Sequence, residues 1–121
     1  MEIKFKSLIP FLGCRDFNVS RGFYKAMGFE EIVIEPKMSL FKINENRSFY
    51  LQDAYVKDWI DNTMLFWEVE NLEKVQEHIK SLDLEQQFEG VRVSEIRFDV
   101  WGNEFFVHDP AGILWHIGEF K

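Results

Sequence analysis

The order of apolar runs, caps and turns in the first half of this chain recurs in its second half. That repeat restricts the fold more than any other feature. In the first half, residues 7–14 are apolar and β-prone, broken only by Pro10, which marks an edge strand or one that leaves its sheet. Asp16 is placed as an N-cap. Phe17, Phe23, Tyr24 and Met27 then give the apolar face of a helix that Gly28 ends as its C′ residue. Residues 29–35 read as a strand, Pro36 and Lys37 as a turn, and residues 38–43 as a continuing strand. Asn44-Glu45-Asn46-Arg47 turns the chain once more, into a strand over 48–52.

The second half follows the same plan. Residues 64–69 read as a strand, Asn71 as a candidate cap, and Leu72, Val75, Ile79 and Leu82 fall at helical spacing. Gly90 marks the loop before residues 91–100. A strand over 105–107 then ends at Asp109-Pro110-Ala111-Gly112, and another over 113–117 follows. That turn has a mechanism: Asp109 caps its own loop, Pro110 presets φ, and Gly112 accepts a positive φ. Between the halves, residues 53–62 form a charged connector with a short helical turn around 55–60. Each strand-helix-strand-strand-strand unit makes a sheet too small to cover itself, so two must combine around a cleft. The expectation is one α+β domain over 1–121, with a first module at about 5–53 and a second at about 62–119. A generic α+β chain with an accidental repeat is the competing reading. The agreement of element order with turn chemistry in both halves favours duplication.

Composition narrows the function. A chain of 121 residues buries roughly two-thirds of its unfolded surface, yet 17% of this one is aromatic, with thirteen Phe and four Trp. So many rings point to an aromatic-lined cavity or an apolar oligomer interface. The net charge of −7 argues against nucleic acid and favours a cationic ligand, although acidic surfaces also simply keep proteins soluble. The single cysteine excludes an internal disulfide and fits a reducing cytoplasm. No apolar run is long enough to span a bilayer, and the charged start Met1-Glu2-Ile3-Lys4 does not read as a signal peptide. A cytoplasmic protein without nucleic-acid or membrane partners is expected.

Few residues demand catalysis. No phosphate-cradling glycine loop is present, and Cys14 lacks a nucleophile signature, so a small buried thiol is expected. A strand-edge carboxylate explains Glu104, and a turn cap explains Asp109. Glu30, Glu31 and Glu35 read as a solvated strand face, with an acidic cleft rim as the alternative. His78 and His108 read as solvated and turn residues. His116 alternates with Trp115 and Ile117, which places it on the opposite strand face as a hydrogen-bonded lining residue. Trp101 beside Gly102 is a natural stacking wall, because an absent side chain lets a planar ligand approach; a core or interface Trp is the competing reading.

Several segments carry a resemblance. They are Ile9-Pro10-Phe11-Leu12 before Arg15-Asp16, Phe23-Tyr24, Met27-Gly28-Phe29, Asp61-Asn62-Thr63 and Val69-Glu70-Asn71-Leu72. Trp101-Gly102-Asn103-Glu104-Phe105 and Asp109-Pro110-Ala111-Gly112 complete the set. Together the chain resembles the bleomycin-resistance branch of the glyoxalase, or vicinal oxygen chelate, superfamily. Phe-Tyr and Asp-Pro-x-Gly recur across that superfamily, whereas Asp-Asn-Thr and Trp-Gly-x-Glu-Phe are more specific to the branch. The resemblance implies two βαβββ modules, a homodimer with clefts at its interface, and a drug held there unaltered. By matching position it implies that Trp101, Phe66, Gln52 and Asp61 line or border the cleft. Met38 stands where a stacking ring is expected, and Phe66 replaces a Trp; Gly102 and His116 complete the candidate set. Tyr55 or Trp59 of the connector would replace the missing ring if that loop folded over the cleft.

The superfamily's enzymes hold a divalent metal on cleft-facing strands. The resemblance places those positions at or next to Ile9, near Leu51 or Gln52, at Met64 and at His116. A hard-metal site needs three or more N/O donors, so no metal and no cofactor are expected. The leading expectation is a metal-free homodimeric binder that sequesters a planar cationic antibiotic or similar compound. The alternatives are a lyase, isomerase or dioxygenase of the same fold, and a dimeric scaffold without a ligand.

Overall fold

The computed structural model describes residues 1–121 and shows two sheet-and-helix units, one with four strands and one with five, that share one core. In the first unit, β1 (Phe11–Leu12) runs parallel to β4 (Arg47–Gln52), β4 pairs with β3 (Met38–Asn44), and β3 pairs with β2 (Glu30–Glu35). Helix α1 (Phe17–Ala26) joins β1 to β2. After the connector helix α2 (Lys57–Asp61), the second unit repeats the topology. There β5 (Met64–Glu68) runs parallel to β9 (Leu114–Phe120), and β9 pairs with β8 (Gly102–His108). The short strands β6 (Arg92–Val93) and β7 (Arg97–Phe98) pair with β8 on its other side. Helices α3 (Leu72–Ser81) and α4 (Leu84–Gln87) lie between β5 and β6.

Local chemistry explains these elements. Asp16 caps α1 by accepting from Val19 N at 3.2 Å, and Gly28 follows the helix at φ 97°. Asn44 accepts from Asn46 N in the β3–β4 turn. Asp109 Oδ1 accepts from the backbone N–H groups of Ala111, Gly112 and Ile113, each at 2.9 Å, as the turn chemistry predicts. Alternation does the rest: Phe41, Phe49, Leu51, Phe105, Val107, Trp115 and Ile117 face inward and meet Phe23, Tyr24, Leu72 and Ile79 of the helices.

Several expectations change. The first strand is two residues long rather than residues 7–14. Pro10 offers only its carbonyl, which accepts from Tyr50 N, and residues 1–10 leave the sheet with Phe5 and Leu8 exposed. Asn71 precedes α3 in the left-handed region (φ 56°), and its side chain does not cap. The Glu119 carboxylate accepts from Asn71 N and Leu72 N instead, a negative charge at the positive end of the helix. Residues 84–90 hold the short α4, and residues 91–100 split into β6 and β7 at Ser94. There Ser94 N donates to Phe106 O while Ser94 Oγ accepts from Phe106 N. Within one chain the two modules share a core, and the outer face of each sheet is left open.

Candidate functional site

On the outer face of the second sheet a row of rings crosses three strands. Phe66 of β5 and Phe106 of β8 both stand in register with His116 of β9. Phe66 and His116 stack with centroids 6.4 Å apart at 23°, and Phe106 meets His116 edge-on at 5.0 Å. Trp101 lies 6.0 Å from Phe66 and 5.3 Å from Phe120, and Phe120 lies 5.6 Å from Phe66. Such separations are those of mutually packed rings. Phe66 is 46% exposed and Phe120 54%, while Trp101, Phe106 and His116 are half-buried beside them.

His116 takes its orientation from Glu104, whose Oε1 lies 2.7 Å from Nδ1. An ionised carboxylate only accepts, so Nδ1 carries the proton and donates to it. Nε2 then faces outward beside Met64 Sδ at 3.4 Å. The neighbours Trp115 and Ile117 are buried, as strand alternation requires.

Two glycines shape this face. A Cβ on Gly118 would lie 2.7 Å from Cζ of Phe66, so that glycine is the slot in which the ring rests. A Cβ on Gly102 would lie 2.3 Å from the Glu119 carbonyl oxygen. Gly102 is therefore buried against the backbone of β9, and its missing side chain serves the β8–β9 approach rather than an incoming ligand. Gly118, Glu104, Phe106 and Phe120 went unmarked as site residues in the sequence. A glycine inside an apolar strand was the available signal for the first.

The remaining candidates fall elsewhere. Met38 and Gln52 stand opposite each other on the first sheet, partly buried on its outer face. Trp101, Phe66 and His116 thus come together, Met38 and Gln52 come together, and the core separates the two groups. Asp61 is exposed on α2, in a 2.6 Å ion pair with Lys57. Tyr55 lies under the Arg15 guanidinium at 5.4 Å, whereas Trp59 is 73% exposed. Two concavities of about 640 and 600 Å³ flank the β3–β4 turn, one against residues 5–10 and one beside β5; Phe66 lines the second and Trp101 neither.

Other titratable groups are engaged structurally. Cys14 donates to Gln52 O at 3.1 Å, and burial pushes its thiol up to about 12, so it is no nucleophile. Glu31 is bound by Arg21 Nε at 2.6 Å and by Ser39 Oγ at 2.7 Å, and the Arg21 hydrogen bond holds its carboxyl below the usual range. It is a tie between α1 and the first sheet, not part of a rim.

Solved structures share this arrangement of modules. A bleomycin-binding protein from Streptomyces verticillus, in complex with copper(II)-bleomycin, superposes with a TM-score of 0.76 over 99% of this chain and all of its own, at 20% identity. An antibiotic-binding protein from a Streptomyces species matches at TM-score 0.71 and 15% identity, covering 98% of this chain and all of its own. A lactoylglutathione lyase from Agrobacterium tumefaciens matches at 0.69 and 16%, covering 93% and 92% of the two chains. This chain has the glyoxalase/bleomycin-resistance fold. No protein-family model and no curated protein sequence matches it.

In the glyoxalase/bleomycin-resistance fold of this chain, strand register corrects one position. Tyr50 stands beside Phe11 on β4 as His116 stands beside Phe66 on β9, whereas Leu51 points into the core. The equivalent positions are thus Tyr50, Met64 and His116 on the outer faces, with Ile9 just ahead of β1. One imidazole, one thioether, one phenol and a hydrocarbon do not suit a hard divalent ion. No three His, Cys, Asp or Glu side chains gather anywhere in the chain. No helix is long and apolar enough to cross a membrane.

Proposed function

We propose that this chain is a metal-free small-molecule-binding protein that acts as a homodimer and sequesters a planar, cationic compound of the bleomycin type without altering it. The observation that carries this reading is the open patch of Trp101, Phe66, Phe120, His116 and Phe106 on the second sheet. A flat heteroaromatic laid on such a surface gains about 0.5–1.5 kcal/mol per ring pair beyond area burial. The charge of −7 draws a cation toward the protein. Bleomycin and antibiotic binding by proteins of the same fold supports the choice of ligand class. The donor set at Ile9, Tyr50, Met64 and His116 weighs against the metal-dependent enzyme reading.

Titration with metal-free bleomycin tests the proposal. Tryptophan fluorescence falls at micromolar or lower ligand, and the Trp101→Ala variant loses most of that response. A wild type that ignores bleomycin and a panel of planar cations alike refutes it. The position of the concavities away from Trp101 favours a second reading, in which the rings only glue two copies together. That reading requires a stable dimer with no ligand-induced rise in melting temperature.

A further inference from the structure

We propose that a separate ligand site lies in the hollow between the end of α1, β5 and α3, and that it takes a small amphipathic anion such as a medium-chain carboxylate. The hollow has a volume of about 450 Å³, within the range of small-molecule sites. Its lining is apolar: Met27 and Phe29 follow α1, Trp67 and Val69 lie around the end of β5, and Val75 and Ile79 belong to α3. Trp67, Val69 and Val75 stay partly exposed there. A Cβ on Gly28, at its edge, would meet nothing within 4 Å, so the space over that turn is open. The ring patch takes no part, since neither Trp101, Phe66, Phe120, His116 nor Phe106 lines the hollow.

The mouth carries a row of uncommitted donors. Asn71, Lys74 and His78 stand at i, i+3 and i+7, on one face of α3, and all three are exposed. Asn71 and His78 enter hydrogen bonds only through their backbones. Lys74 pairs with no carboxylate, unlike Lys80 on the same helix, which holds Glu95. The acids of α3 lie on another flank, where Glu73 and Glu77 line a smaller hollow together with Glu95 and Phe98. The helix thus sorts its charges, with cations over the apolar hollow and carboxylates away from it. That sorting occurs in a chain whose net charge is −7.

This arrangement defines the ligand class. An ammonium, an imidazole and an amide offer N–H donors to an acceptor-rich head, while a hydrocarbon body covers Trp67, Val69 and Val75. Glu70 also lines the hollow and precedes Asn71, so the anionic head belongs at the Lys74 and His78 end, away from that carboxylate. A cation would meet Glu70 alone.

The test uses anilinonaphthalene sulfonate, an apolar anion that brightens in a dry site, with decanoate as competitor. Wild type binds the probe saturably, and decanoate displaces it. Decanol, which lacks the charge, competes about tenfold less well. Metal-free bleomycin leaves the probe in place. Lys74→Glu weakens probe binding roughly tenfold at low salt, with melting temperature and bleomycin response near wild type. Val75→Phe fills the hollow and removes the binding; Lys74 is exposed, so its variant tests the site even where Val75→Phe fails to fold. A wild type with no saturable binding overturns the inference. So does a probe that decanol displaces as well as decanoate, that bleomycin displaces, or that a folded Val75→Phe or Lys74→Glu chain holds as tightly as wild type.

Discussion

The Tyr24 hydroxyl donates to Asp109 Oδ2 at 2.6 Å, tying the first helix to the last turn across 85 residues. The same hydroxyl accepts from Trp115 Nε1 at 3.0 Å. Both ends are fully buried, and Asp109 Oδ1 already holds three backbone N–H groups. Removing the carboxylate would strand three donors, the N–H groups of Ala111 and Ile113 and the Tyr24 hydroxyl, while Gly112 N keeps the Asp109 backbone carbonyl at 3.1 Å. Asp109→Ala is therefore expected to cost about 3–5 kcal/mol, and Tyr24→Phe about 1–3 kcal/mol, in urea unfolding.

Stability at this point also depends on pH. Burial raises the Asp109 carboxyl above its ordinary value despite the opposing hydrogen bonds. A raised value in the folded state means that its contribution is complete below the unfolded pKa near 3.9 and is lost as pH rises through the folded value. Asn at this position keeps an oxygen for the three N–H groups and does not titrate. Wild type should lose ground to Asp109→Asn as pH rises above about 4. A stability difference that stays flat with pH would contradict this.

Glu31 has the opposite sign. The Arg21 hydrogen bond lowers its carboxyl in the folded protein, so its contribution is present above the unfolded value and is lost as pH falls through the folded one. Glu31→Gln should cost about 1–2 kcal/mol at neutral pH, and that cost should vanish in acid.

The two glycines of the second sheet separate stability from binding. Gly102→Ala drives Cβ into the Glu119 backbone carbonyl, which cannot swing away, and should cost about 2 kcal/mol or more. Gly118→Ala meets the far end of the Phe66 ring at 2.7 Å and the Asn103 carbonyl oxygen at 3.3 Å, a milder backbone conflict than that at Gly102. It should lower the melting temperature less than Gly102→Ala while displacing Phe66 and weakening ligand binding. Melting curves and fluorescence titrations of the two variants distinguish these effects.

Cys14 reports on unfolding. Its thiol is buried and its pKa is pushed up to about 12, so Ellman's reagent at pH 8 should react only as the chain unfolds. Rapid labelling of native protein would show that the β1–α1 corner opens locally.

Much of the fold is written in short-range signals. Asp16 capping α1, Gly28 ending it and Asp109 closing the last turn act within four residues of themselves, and each appears where its chemistry places it. The cap of α3 was not legible, because Asn71 has the right residue type while the carboxylate that does the work is Glu119, 48 residues away. Residues 7–14 were apolar enough for a strand, but a strand needs a neighbour, and only Phe11 and Leu12 find one on β4. Among the site residues, alternation was enough to turn His116 outward. Its Glu104 partner and the Phe66 slot at Gly118 depend on strands being paired in register.

The sequence alone determined the duplicated order of elements, the turns and caps, and which residues alternate along each strand. Those follow from steric and hydrogen-bonding preferences over a few neighbouring residues. Only the tertiary structure decided which rings share a face, that Gly102 belongs to backbone packing, and that the two sheets close on a common core. Burial and register are properties of surfaces brought together from distant parts of the chain, and no local pattern encodes them.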